Sequence, residues 1–294
     1  MPNPRFLQTT KRRTSKKIPA DAIKQHRKKT SQPTNVGAVF PDKVEYISIF
    51  SYDGEHGEFY QELIAKANER FRGTAAEIII DTYGQVKHMY SWERFGLITA
   101  IYNDLQLRSH KFWPITAIQS EHLMEAEVLT NNDYYWEVLG LVLYDVSKKG
   151  YNPKEAKALR DSLKKHRQDL GLKNSDLEKR LIVVSPGLEK DPDMPHGAKP
   201  IVLPGVTQTY THEVLEKARG DHDFEGYGLK GGLPLIEQLE KGDRTLHMPN
   251  KTGDIGLCVL IRFDYGLGAE DGNLVGPNMD GRINFAPEAP SQKK

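Results

Sequence analysis

Ser48 and Ser51 stand three residues apart where the apolar run VEYISIF gives way to SYDGEHG. A serine at a strand end is a weak nucleophile, effective only with a base in reach or with a substrate that is already activated, such as an ester. A helix predicted to start near His56 or Gly57 would offer free backbone N–H groups and its positive dipole end to a carbonyl oxygen or a terminal phosphate. Read as structure alone, Ser48 is a small residue packed under a sheet. A second candidate is DHDFEG, residues 221–226. Asp221, His222 and Asp223 are donors that suit a metal-dependent hydrolase, or they form an acidic surface loop. The stretch opens like a calcium loop, but Gly232 stands where a bidentate glutamate has to close it.

Other motifs lack their context. GYGLKG, 226–231, has the spacing of a dinucleotide fingerprint. That fingerprint needs a strand before it and a helix after it, whereas DHDFE precedes and Pro234 follows closely. The sequence contains no G-x-x-x-x-G-K-[ST] phosphate loop and no H-E-x-x-H zinc helix. One cysteine, Cys258 in GLCVLIRF, excludes both a cysteine-rich zinc centre and an internal disulfide framework. It reads as a buried thiol in a reducing, cytoplasmic compartment.

The elements that must position these groups read as α/β. VEYISIF has the composition of a buried strand. Phe59, Leu63, Ile64, Ala67 and Phe71 recur at helical spacing, predicting a helix over 56–71. AAEIIIDT, 75–82, is a second apolar run ending in Asp81. Strand, helix, strand predicts a right-handed βαβ unit with Ser48 and Asp81 on one rim of a parallel sheet. From Gln85 to about Lys149 the pattern is mostly helical, with YYWEVLGLVLYDVSKKG apolar enough for a core helix or a strand. Residues 152–172 predict a helix with Asn152 as N-cap, Pro153 at its first position and Gly171 at its end. Its solvent face carries Lys154, Lys157, Arg160 and Lys164, which is either a solvated face or a contact for a polyanion. RLIVVSPG, KPIVLPG and IGLCVLIRF predict further strands, and TYTHEVLEKA a helix.

ISIFSYDGEHGEFYQELIAKA followed by AEIIIDT resembles the start of the catalytic domain of cyclodipeptide synthases. Ser48 falls at that family's nucleophile position, and Ser51 stands where it has asparagine. Tyr46 replaces its glycine. The resemblance covers about 40 of the 294 residues. It implies a Rossmann-like parallel sheet flanked by helices. It also implies aminoacyl-tRNA as partner, no cofactor (neither ATP nor a metal), and transfer of an aminoacyl group to Ser48 before a second amine attacks. Proton transfer then needs a tyrosine or carboxylate, for which Tyr227, Glu225, Tyr90 and Glu93 are candidates. Tyr227 matches the family's tyrosine, but Gly231 occupies the place of its glutamate. Asp81 and Glu93 could pair with a cationic substrate side chain such as arginine. On this reading Lys154, Lys157, Arg160 and Lys164 contact the tRNA.

Charge adds a domain division. Residues 1–30 carry ten Lys/Arg against the single acid Asp21, leaving a balance of −8 for the rest. The first 42 residues read as a disordered basic arm, which is either a polyanion contact or a solvated tail. Residues 43–275 read as one α/β domain and 276–294 as a loose tail. No run of 18 apolar residues spans a membrane, and nothing implies a protein partner. The chemistry therefore divides between a tRNA-dependent transferase, a non-catalytic RNA-binding protein and a metal-dependent hydrolase.

Overall fold

The computed structural model describes residues 56–80, 91–126, 136–145, 150–228, 230–251, 255–263, 266–270, 272–275 and 283–287. All of them belong to the unit Gly37–Lys294. The helices are α1 (Gly57–Phe71), α2 (Ser91–Asn103), α3 (Leu105–Ser109), α4 (Ala117–Glu125), α5 (Pro153–Lys165) and α6 (Glu213–Lys217). The main sheet is built from β2 (Trp136–Leu143), β3 (Leu181–Val184), β6 (Gln208–Thr211), β7 (Gly220–Phe224), β8 (Arg244–Met248), β9 (Leu257–Phe263) and β10 (Gly266–Gly268). Two small pairs stand apart from it: β1 (Phe112–Pro114) with β11 (Phe285–Pro287), and β4 (Gly187–Lys190) with β5 (Ala198–Ile201).

The seven strands lie in the order β6-β3-β2-β9-β10-β8-β7. Every neighbouring pair is antiparallel except β10 and β8, which are parallel. This corrects the Rossmann-like expectation of a parallel sheet: β2 runs antiparallel to both of its neighbours, β3 and β9. Of AAEIIIDT only residues 75–80 are described, and within them Ile80 makes a bridge but no strand is formed. The side chain of Asn68 on α1 brackets the backbone of Ile78: its Oδ1 accepts from Ile78 N at 2.7 Å and its Nδ2 donates to Ile78 O at 2.9 Å. Ile79 and Ile80 remain 66% and 41% exposed. An apolar run alone does not say what satisfies its backbone.

The sheet separates two cores. Helices α1, α2 and α5 cover one face through residues such as Phe71, Phe95 and Leu159, packed on Leu141, Val183 and Val259. The other face packs Leu139, Val142, Phe224, Leu246 and Leu260 with Val214 and Leu215 of α6. Strand β2 is buried on both faces, so its apolar residues run without alternation and read equally as helix or strand. A register shift between Val138 and Gly140 changes which face its later residues serve.

Helix α1 begins and ends as its spacing implies, burying Phe59, Leu63, Ile64, Ala67 and Phe71. Helix α5 starts at Pro153 but ends at Lys165, six residues before Gly171. Asn152 makes no side-chain cap; its Nδ2 donates to Leu257 O at 2.9 Å and to Gly272 O at 2.6 Å. Part of the segment expected as a loose tail forms β11, and Ile283, Phe285 and Ala286 there are buried.

Two buried ion networks meet at α4, whose N-terminus is closed by a capping box between Thr116 and Gln119. Glu121 receives Arg244 in a two-pronged contact at 2.6 and 2.8 Å and also accepts from Gly228 N at 2.7 Å. Glu137 on β2 accepts from Arg262 at 3.0 Å and from the backbone and side chain of Asn284. Arg94 lies 3.8 Å from Glu137. Burial pushes the Arg94 guanidinium down to about 10, against the pull of Glu137.

Candidate metal site on the β7–β8–β10 edge

Strand β7 is a sheet edge, and edge strands tolerate outward charge. Its burial alternates, with Asp221 and Asp223 exposed and Phe224 buried. Strand β8 alternates in the same way, placing Arg244, Leu246 and Met248 inward and leaving Thr245 and His247 on the opposite face. The register then sets one row across four strands. Ile261 on β9 faces Gly268 on β10, Gly268 faces His247 on β8, and His247 faces Asp221 on β7. Residues paired in this way share a face.

At the end of that row three donors converge. Nδ1 of His247 lies 2.8 Å from Oδ1 of Asp221. Glu270, two residues beyond β10, completes a group in which one ligand atom from each of Asp221, His247 and Glu270 lies within 4.8 Å of the others. Donors about 2.0–2.2 Å from a common Zn²⁺ lie roughly 3–4 Å apart, so small side-chain adjustments bring these atoms onto one cation. Two carboxylates and an imidazole suit Zn²⁺ or Mn²⁺ better than a soft-metal site.

The Glu270 segment is held from behind. Tyr144 Oη donates to Ala269 O at 2.8 Å, Cys258 Sγ donates to Glu270 O at 3.3 Å, and Asn152 holds Gly272 O. Ala269 N donates to His247 O at 3.0 Å, which ties this segment to β8. Burial pushes the Tyr144 phenol well up, so it remains a donor. Cys258 thus contributes a hydrogen bond as well as packing.

Beside the donors lies a groove of about 720 Å³, lined by Tyr151, His247, Ile261, Phe263, Glu270 and Asn273 among others. The rings of His247 and Phe263 are 5.0 Å apart and tilted by 40°. Gly268 makes this wall possible, since a Cβ there would sit 3.1 Å from the Phe263 ring.

The sequence-level metal trio is thereby redrawn. Asp221 belongs to the cluster, but His222 is on the opposite side of β7, with Nδ1 2.5 Å from Glu240 Oε1 and Nε2 2.9 Å from Arg219 O. Asp223 shares the face of Asp221 and lies 3.5 Å from Thr245 Oγ1. DHDF is therefore a strand and not a surface loop. His247 and Glu270 were missed because strand register, not local spacing, brings them in. The alternation in RTLHM was the one signal for His247.

Ser48, Ser51, Asp81 and Tyr90 lie outside the described residues. Glu93 is on α2 and only 2% exposed. Glu225 is exposed, its N–H donating to Gln238 O at 3.0 Å. Tyr227 packs its ring 5.2 Å from the Arg244 guanidinium, and Arg244 donates to Gly226 O at 3.0 Å. Gly226, Tyr227 and Gly228 of the glycine-rich stretch therefore lie against the Glu121–Arg244 pair.

The basic face of α5 is also altered. Arg160 is 7% exposed, and burial lowers its pKa. Lys157 pairs with Asp161 at 2.7 Å and Lys154 donates to Asp193 O at 3.3 Å, while Lys164 is exposed. Arg160 is thus removed from the row expected to meet tRNA. Among the described residues no helix is long and apolar enough to cross a membrane. No protein-family model matches the chain, and neither a curated protein nor a solved structure does so. The parallel Rossmann-like sheet implied by the cyclodipeptide synthase resemblance is replaced by a largely antiparallel one.

Proposed function

We propose that the protein is a divalent-metal-dependent hydrolase whose metal is held by Asp221, His247 and Glu270. The observation that carries this reading is the convergence of three ligand atoms within 4.8 Å, drawn from β7, β8 and the segment after β10 and set beside a groove. Three protein donors leave coordination positions free, the arrangement of a catalytic rather than a closed structural site. A cation held there supplies a Lewis acid and a water of lowered pKa. The chain supplies the rest: β7, β8 and β10 fix the donors, Tyr144 and Cys258 hold the Glu270 backbone, and the groove receives the substrate.

Hydrolysis of 4-nitrophenyl acetate by the full chain with added Zn²⁺ or Mn²⁺ tests this. The reading expects turnover that is lost on addition of EDTA and in His247→Ala. A rate indifferent to both changes contradicts it.

A further inference from the structure

We infer, on the reading that Asp221, His247 and Glu270 hold a divalent cation, that the substrate is an uncharged amide or ester carrying an aromatic group, not a phosphoester. Charge balance is the first reason. Two carboxylates cancel a dication and a neutral imidazole adds nothing, so the loaded site has no surplus positive charge. Among the described groove-lining residues there is no lysine or arginine. Phosphoryl transfer spreads charge over three equatorial oxygens and relies on several cationic groups to neutralise it. Acyl hydrolysis develops charge on a single oxygen, which one cation can stabilise.

Shape is the second reason. Tyr151, 59% exposed, lines the groove together with the neighbouring rings of Phe263 and His247. The Tyr151 ring packs directly on Gly272, where a Cβ would lie 2.8 Å from it. With Ile261, these rings give the groove a mostly apolar, aromatic lining next to the metal donors. Rings pack on such a lining with an energy beyond simple burial. In the reaction, water oxygen bonds to the acyl carbon as the carbon–nitrogen or carbon–oxygen bond breaks. One water proton goes to the leaving amine or alcohol, and the acid product releases the other.

Three probes of the Zn²⁺-loaded full chain test this: benzohydroxamate, acetohydroxamate and phenylphosphonate. Hydroxamates chelate a metal through the acyl oxygen and the deprotonated N–O oxygen, as an acyl-hydrolysis mimic, and phenylphosphonate pairs the same ring with a phosphoester-like head of up to two negative charges. The inference expects benzohydroxamate to bind about ten-fold tighter than either of the others. Tyr151→Ala should reduce that advantage while leaving Zn²⁺ affinity unchanged. Equal binding of the two hydroxamates, or preference for phenylphosphonate, overturns the substrate class and leaves the metal site standing. A prior titration showing binding of neither Zn²⁺ nor Mn²⁺ overturns both.

Discussion

Asp221 and His247 face each other across an antiparallel strand pair, their side chains joined at 2.8 Å. That contact lies 26 residues apart in the chain and one strand spacing apart in the fold. Its carboxylate is 65% exposed and its imidazole 29%, so solvent reaches the cluster that they form with Glu270.

The supports of Glu270 should be measurable through the metal. Tyr144→Phe removes the hydrogen bond to Ala269 O without changing the ring. We expect a stability loss of about 1 kcal/mol and Zn²⁺ affinity weakened by about ten-fold, the usual scale for groups that orient ligands. Urea unfolding and calorimetric titration read the two effects. An unchanged affinity would show that the Tyr144 tether does not position Glu270.

Burial dominates at the Glu121–Arg244 pair. Arg244 is 5% exposed and Glu121 1%, so Arg244→Met leaves a carboxylate buried with its main partner removed. The expected cost is about 3–5 kcal/mol, and adding Glu121→Leu should recover part of it because the stranded charge is gone. Denaturant midpoints of the single and double variants test this. A double variant less stable than Arg244→Met contradicts the account.

A buried histidine sets a pH dependence. His212 is 3% exposed, and its Nδ1 accepts from Val214 N at 3.2 Å to cap α6. Burial first, with Lys230 adding to it, holds the imidazole down from 6.5 to about 4. Below its ordinary value the unfolded chain takes up a proton that the folded chain refuses. The stability involved is therefore intact above pH 6.5 and lost as the pH falls toward 4, by up to roughly 3 kcal/mol. His212→Asn retains an acceptor for the cap and removes the titration. Its stability should vary less between pH 6.5 and 4 than that of the natural chain, and parallel curves in thermal unfolding would refute this origin.

Local signals in the sequence located several elements and misassigned their partners. The 3.6-residue spacing of Phe59, Leu63, Ala67 and Phe71 read correctly as α1, and the apolar runs at 181–184 and 257–263 read correctly as strands. Parallel pairing is inferred from element order, and order does not say in which direction strands pair: β2, β3 and β9 come from distant parts of the chain and lie antiparallel. Strand β7 looked like a loop because an edge strand needs only one apolar residue here, Phe224. Of the metal cluster, Asp221 was legible in its acidic run. His247 and Glu270 were not, since their nearness to it depends on the parallel β8–β10 pairing and on an interstrand register set over nearly 50 residues of chain.

The central claim is tested most directly by titrating the full chain with Zn²⁺ and, separately, Mn²⁺, beside Asp221→Asn, His247→Ala and Glu270→Gln. We expect one saturable site per chain for at least one of the two ions. Each variant should lose more affinity than the about ten- to hundred-fold that an outer-shell change costs. No saturable binding by the natural chain, or variants that bind as it does, would contradict the assignment.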